Sequence, residues 1–270
     1  LSILGGLQAV ILYFVAQKFK VQEDSRIEQV LEALPGANCG GCGFAGCRAF
    51  AEYYINNPDS SSFICPVGGN EAMMHIAQIL GREVKEQVPK LAVLRCNGSC
   101  QNLPRINTYN GSLSCAVAAS LYGGQTGCSY GCLGMGDCVK VCQFNAMVMD
   151  PLTCLPVILE DKCTSCGACV KACPRNILEI RPKGPKNRRI YVACANKDKG
   201  AVIRKVCTVG CLGCQLCLKA CPFEAITIAD NLATIDPGKC RLCRKCTPVC
   251  PVGCITEINF PPKKQEIGNE

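Results

Sequence analysis

The chain opens on an apolar run, LSILGGLQAVILYFVAQ, in which residues 1–17 carry no charge; Lys18, Lys20, Glu23 and Asp24 then turn it abruptly polar. A bilayer core takes about 20 apolar residues, so the pattern predicts the C-terminal part of a transmembrane helix at 1–17. A buried core helix and a signal peptide are the alternatives. Lys18 and Lys20 favour a cytoplasmic C-terminal side. Beyond them Ile27, Val30, Leu31 and Leu34 recur at helical spacing, Asp24 or Ser25 stands where a cap belongs, and Pro35-Gly36 ends the run. This predicts a stalk helix within 18–34. EAMMHIAQIL reads as another helix, with His75 on its surface, while VCQFNAMVM and ACPFEAITI read as cysteine runs passing into short strands.

Composition changes the picture. Among 270 residues there are 27 cysteines, one histidine and no tryptophan. Disulfide scaffolds are short chains that cannot build a core, and this one is too long to need such staples as a single unit. Cysteine at this density in a longer chain points to metal, and with His75 the sole histidine any zinc would sit in all-cysteine sites.

The first cysteine group is GANCGGCGFAGC, with Cys39, Cys42 and Cys47, followed by Cys65 before Pro66. Three close ligands and one distant one suit a 4Fe-4S cube, and the interleaved glycines let the backbone wrap closely and offer N–H groups to sulfur. Gly41, Gly43 and Gly46 also match a dinucleotide fingerprint, but no strand precedes them. A single-cluster domain is expected over 35–90.

Internal repetition organises the rest. The spacing of Cys115, Cys128, Cys132, Cys138 and Cys142 recurs at a constant offset of 79 residues as Cys194, Cys207, Cys211, Cys217 and Cys221, which marks a duplication. Each copy is followed by a compact run, Cys163, Cys166, Cys169, Cys173 and then Cys240, Cys243, Cys246, Cys250, both spaced C-x2-C-x2-C-x3-C-P. That is the bacterial ferredoxin pattern, in which three cysteines hold one cluster and the fourth crosses to its neighbour. In the second copy it assigns Cys211, Cys214 and Cys217 with Cys250, and Cys240, Cys243 and Cys246 with Cys221. In the first, Met135 stands where Cys214 would be and Gln143 replaces a proline. Cys128 is the expected substitute, giving Cys128, Cys132 and Cys138 with Cys173, and Cys163, Cys166 and Cys169 with Cys142.

Five clusters leave Cys96, Cys100, Cys115, Cys154, Cys194, Cys207 and Cys254. Cys96, Cys100 and Cys115 form three quarters of a sixth site that Cys194 or Cys207 would complete, or Cys128 if the first copy is wired differently; Cys154 and Cys254 read as ordinary buried thiols. RPKGPKNRR, residues 181–189, reads as a solvated linker or as a basic patch steering an acidic carrier. The expected architecture is α+β: a membrane helix, a small mostly helical single-cluster domain, and two ferredoxin-like dicluster units at 91–181 and 190–260, with a tail at 261–270.

The formal charge of +8 counts every thiol as neutral. Four thiolates on an oxidised cube leave roughly −2 per cluster, so five clusters cancel the basic balance and a nucleic-acid partner has little support. No P-loop, nucleophile elbow or carboxylate pair stands out.

The arrangement as a whole resembles the B subunits of the Rnf complexes, membrane-bound ferredoxin:NAD oxidoreductases coupled to Na+ or H+ translocation. The apolar N-terminus, ALPGANCGGCGFAGC with Cys65, and the ferredoxin runs carry the resemblance. It implies an electron-relay subunit of a translocase, without acid–base or nucleophilic residues of its own, that takes electrons from reduced ferredoxin and passes them toward other Rnf membrane and flavin subunits and NAD. It further implies attachment to the inner (cytoplasmic) membrane through the N-terminal helix, with the cluster domains facing the cytoplasm. The other readings are a polyferredoxin subunit of a hydrogenase or heterodisulfide reductase and, from a different class, a zinc-stabilised binding platform.

Overall fold

A computed structural model describes residues 2–18, 24–58, 63–84, 86–121 and 123–262. The chain divides into two compact units, Leu1–Lys85 and Glu86–Glu270. In the first, α1 spans Ser2–Lys18, and the structure corrects the sequence expectation there. No helix among the described residues is long and apolar enough to cross a membrane, so the transmembrane helix expected at 1–17 is not found. The physical reason is length, because the 17 residues of α1 rise about 26 Å against a hydrocarbon core of about 30 Å.

Three helices make the rest of this unit: α2 (Ser25–Ala33), α3 (Cys47–Asn56) and α4 (Gly69–Leu80). Asp24 caps α2 by accepting the Arg26 N–H at 2.9 Å. Val30 is wholly buried and packs with Leu34, Phe50, Tyr54, Ile55, Met73 and Ile76. So α2 forms part of a three-helix core rather than a spacer; the expected stalk at 19–23 lies outside the described residues. The Arg82 guanidinium donates to the carbonyls of Tyr54 and Ile55, satisfying orphaned acceptors at the end of α3.

The second unit is built twice from one plan. Its first half runs β1 (Lys90–Leu94), α5 (Cys115–Leu121), α6 (Asp137–Lys140), β2 (Met147–Met149), β3 (Pro156–Ile158), α7 (Ala168–Ala172) and β4 (Leu178–Pro182). The second half runs β5 (Arg189–Val192), α8 (Gly200–Val206), α9 (Leu216–Ala220), β6 (Ile226–Ala229), β7 (Leu232–Ile235) and β8 (Ile255–Ile258). In each half the outer strands pair antiparallel, β1 with β4 and β5 with β8, and the inner two form a hairpin. Asp230 and Asn231 turn the β6–β7 hairpin with positive φ at both positions, the backbone that a two-residue loop needs to match strand twist.

Residues 181–189 are solvated at their middle, 185–187, but not at their ends. Arg181 ends in the interior, donating to Ile235 O at 3.0 Å, and Arg189 makes a two-point ion pair with Glu160. Both arginines are buried. Arg189 begins the second half and Glu160 follows β3 of the first, so the pair joins the halves, as does the apolar cluster of Leu91, Val93, Tyr191 and Ala193. Hydrogen bonding to Arg189 holds the Glu160 carboxyl below its ordinary range. The pair's stabilisation is therefore present above the unfolded carboxylate pKa of about 4.3 and is lost as pH falls through the lower folded value. Glu160→Ala leaves a buried guanidinium unpaired and is expected to cost about 3 kcal/mol, read as a lowered unfolding midpoint at neutral pH. The expected tail beyond residue 262 lies outside the described residues.

Candidate iron-sulfur centres

In the first unit the loop before α3 carries Cys39, Cys42 and Cys47. Asn38 ties it, accepting the Cys47 N–H at 2.8 Å and donating to Gly36 O, so that Cys47 begins the helix. Gly43 sits at φ +91, a conformation that side chains rarely adopt. Cys65 is buried beside Cys42 and Cys47 in the helical core, and burial pushes its thiol up. The Gly68 N–H donates to Cys65 Sγ at 3.3 Å; a Cβ at Gly68 would lie 2.5 Å from that of Ala72. His75 is exposed on α4.

In the first half of the second unit, Cys169 faces Cys163, Cys166 and Cys142, and burial first, then those neighbours, pushes its thiol up to about 12. The Ala146 N–H donates to Cys142 Sγ at 3.3 Å and the Ala92 N–H to Cys163 Sγ at 3.5 Å. A cavity is lined by Cys132, Cys138, Cys173 and Cys115. Beside Cys132, Cys138 and Cys173 the fourth lining thiol is Cys115, while Cys128, the expected substitute, lines another cavity. The reason lies in Asp137, one residue before Cys138, whose carboxylate accepts from Ser114 Oγ at 2.8 Å and from the Ala116 N–H at 3.2 Å. It thereby holds the start of α5, where Cys115 lies, against α6. Burial pushes Cys132 up to about 12 and Cys138 to about 11, and Cys115 adds to both.

The second half shows the same design. Cys211, Cys214, Cys217 and Cys250 line one cavity, and Cys221, Cys240, Cys243 and Cys246 another. Their loops use left-handed residues at matching places: Ser165 and Gly167 in the first half correspond to Leu242 and Arg244 in the second. Strained backbone of this kind persists where packing over-determines it. Cys254 is a fifth thiol at the first of these cavities, 2% exposed and 3.5 Å from Cys250 Sγ. Its S–H, shared with Cys211 and Cys250, holds those two thiols down at about 6 and about 5.

One further cavity is lined by Cys96, Cys128, Cys194 and Cys207, one pair from each half. Of the sixth set expected from the sequence, Cys96 is here, and both Cys194 and Cys207 join it. Cys115 belongs to the neighbouring cavity, and Cys100 is drawn away: its thiol donates to Leu152 O at 3.2 Å and its partner is Cys154. Cys128 and Cys207 are equivalent positions in the two copies and share this cavity, whereas Cys115 and Cys194, also equivalent, line different ones.

The donor sets fit cubes better than single ions. Tetrahedral zinc at about 2.3 Å from each sulfur spaces its ligands about 3.8 Å apart. Among the described residues no group of three or more His, Cys, Asp or Glu side chains is set to hold one metal ion. Peptide N–H groups aimed at sulfur are what a thiolate-bound 4Fe-4S core calls for.

Comparison with known proteins agrees. Residues 162–225 and 210–254 match the family described as "4Fe-4S dicluster domain", and residues 34–61 match "Putative Fe-S cluster". The chain is 43% identical to the B subunit of the Na(+)-translocating ferredoxin:NAD(+) oxidoreductase complex of Acetobacterium woodii, over 95% of this chain and 75% of that one. It is 42% identical to the B subunit of the ion-translocating oxidoreductase complex of Methanosarcina acetivorans, over 92% of each. This chain belongs to the family of Rnf B subunits. A further B subunit, from the proton-translocating ferredoxin:NAD(+) oxidoreductase complex of Clostridium ljungdahlii, is 40% identical over 96% of this chain and 90% of its own length. The match to B subunits thus spans both compact units.

Proposed function

We propose that this chain holds six 4Fe-4S clusters and serves as the electron relay of a membrane-associated ferredoxin:NAD oxidoreductase complex. It receives electrons from reduced ferredoxin and delivers them toward flavin-bearing partner subunits, reaching the membrane as part of that assembly. The ligand sets are Cys39, Cys42, Cys47 and Cys65; Cys115, Cys132, Cys138 and Cys173; Cys142, Cys163, Cys166 and Cys169; Cys211, Cys214, Cys217 and Cys250; Cys221, Cys240, Cys243 and Cys246; and Cys96, Cys128, Cys194 and Cys207. The observation that carries the reading is the gathering of thiols by fours around cavities in the second unit, in a chain whose relatives are B subunits along nearly its whole length.

A bound cube supplies a one-electron acceptor and donor at each site. The protein's own part is to hold the thiolates, donate N–H groups to them and keep water off the buried ones. Cys214 and Cys243 are exposed, which gives the second half two edges at which a carrier protein can approach. Asp137, the carboxylate bonded beside Cys138, is engaged by Ser114 and Ala116 and has no proton-transfer task.

Anaerobically purified protein is expected to carry about 24 irons with matching sulfide and little zinc, six cubes of four. Its visible absorbance is expected to bleach on mixing with reduced ferredoxin. Stoichiometric zinc with little sulfide would overturn the cluster reading; a fully loaded protein that reduced ferredoxin leaves oxidised would overturn the relay.

A further inference from the structure

At the site lined by Cys96, Cys128, Cys194 and Cys207 a side-chain carboxamide joins the peptide donors to sulfur. Cys96 Sγ takes the N–H of Cys132 at 3.5 Å and that of Gly98. Cys194 Sγ takes the N–H of Cys211 at 3.3 Å and that of Asn196 at 3.5 Å. Cys207 takes those of Val209 and Gly210. Cys128 is served by a side chain, Asn196, whose Nδ2 donates to its sulfur at 3.3 Å. Every thiol of the set therefore has at least one N–H donor.

Asn196 is held for that task. It is 2% exposed, and its Oδ1 accepts the Asp198 N–H at 2.7 Å, which orients the amide with its NH2 toward Cys128. The equivalent position in the first copy is Val117, which has no side-chain donor to give. A buried polar side chain is retained at a cost unless it is fully bonded, and here both ends of the amide are used.

Resting on the assignment of this site to a cluster, we propose that Asn196 raises its midpoint potential through the hydrogen bond that its Nδ2 donates to Cys128 Sγ. Adding an electron increases the negative charge on the sulfurs, and an N–H bonded to sulfur stabilises that charge. The donors to Cys96 and Cys194 are the peptide groups of Cys132 and Cys211, which themselves serve the adjoining sites of the two halves. The site is thus bonded directly to a neighbour on either side.

The test is an EPR-monitored redox titration of the full chain, wild type against Asn196→Leu and Asn196→Ser, with iron counted in each. The titration of Cys207→Ala first identifies which midpoint belongs to this site. Asn196→Leu removes both polar contacts at similar volume. Asn196→Ser keeps an oxygen for the Asp198 N–H, as short hydroxyls do in such turns, but is too short to reach Cys128. Both variants are expected to keep their iron and to lower this site's midpoint by about tenfold in the reduction equilibrium, about 59 mV for one electron, leaving the others in place. Unchanged midpoints in both, or a wild-type midpoint in Asn196→Ser with a lowered one in Asn196→Leu, would overturn the proposal, the second by showing that only the turn matters. Cys207→Ala with its full iron complement would instead overturn the site assignment on which the proposal rests.

Discussion

Cys207→Ala is expected to remove about four of some 24 irons per chain, with an equal loss of sulfide, and Cys100→Ala to remove none. The two residues are the sharpest pair for the ligand map, because the spacing puts Cys100 inside the sixth set and makes Cys207 one of two candidates to complete it. In the structure Cys207 shares a cavity with Cys96, Cys128 and Cys194, whereas the exposed Cys100 thiol bonds to Leu152 O beside Cys154. Cys115→Ala extends the test. It is expected to remove about four irons from the cavity of Cys132, Cys138 and Cys173, whereas Cys128→Ala empties the sixth site. The double variant then loses about eight irons, where a shared site would lose only about four. Full iron in Cys115→Ala, or a double variant no worse than either single, would sink this wiring.

Stripping the iron with a chelator under reducing conditions is expected to unfold the second unit outright while the helices of the first persist. The second unit has two-stranded sheets of three to five residues per strand, and isolated pairs of that size are marginal in water. Cysteines are built into its cores beside aliphatic side chains: Cys194, Cys211, Cys217, Cys246 and Cys254 in one, Cys138 and Cys169 in another. Structural metal sites contribute on the order of 10 kcal/mol each in small domains, so losing several exceeds a typical total stability of about 5–15 kcal/mol. The first unit instead has an aromatic cluster of Phe44, Phe50, Tyr53, Tyr54 and Phe63 around three amphipathic helices. Hydrogen exchange on the stripped full chain should show β1, β4, β5 and β8 unprotected and α3 and α4 still slow. Retained protection in those strands would show that apolar burial, not ligation, holds the unit together.

Legibility followed the range of the interaction. The run Cys163, Cys166, Cys169 could be read without a fold, because ligands three residues apart are gathered by local left-handed turns such as those at Ser165 and Gly167. The helix at 25–33 was readable for the same reason, since its cap and apolar face lie within about one short segment. Residues 181–189 misled because charge density predicts solvation only when no partner is waiting. Glu160 and the Ile235 carbonyl, distant in sequence, take Arg189 and Arg181 inside. The apolar content of residues 1–17 was plain, but no helix among the described residues is long and apolar enough to cross a membrane.

The chemistry was written in the residues alone: thiols in numbers and spacings that suit iron-sulfur cubes, duplicated once, with no acid–base machinery beside them. Which thiols stand together where the spacing is long was settled by the folded chain. Cys115 and Cys128 are both near Cys132 in sequence, and no local rule separates them. The Asp137 carboxylate pins one to the first dicluster half, while Asn196, reaching over from the other half, bonds the sulfur of the second. Cys96 and Cys128 of one half meet Cys194 and Cys207 of the other beside a seam where β1 and β5 pack together, a meeting that no short-range spacing encodes.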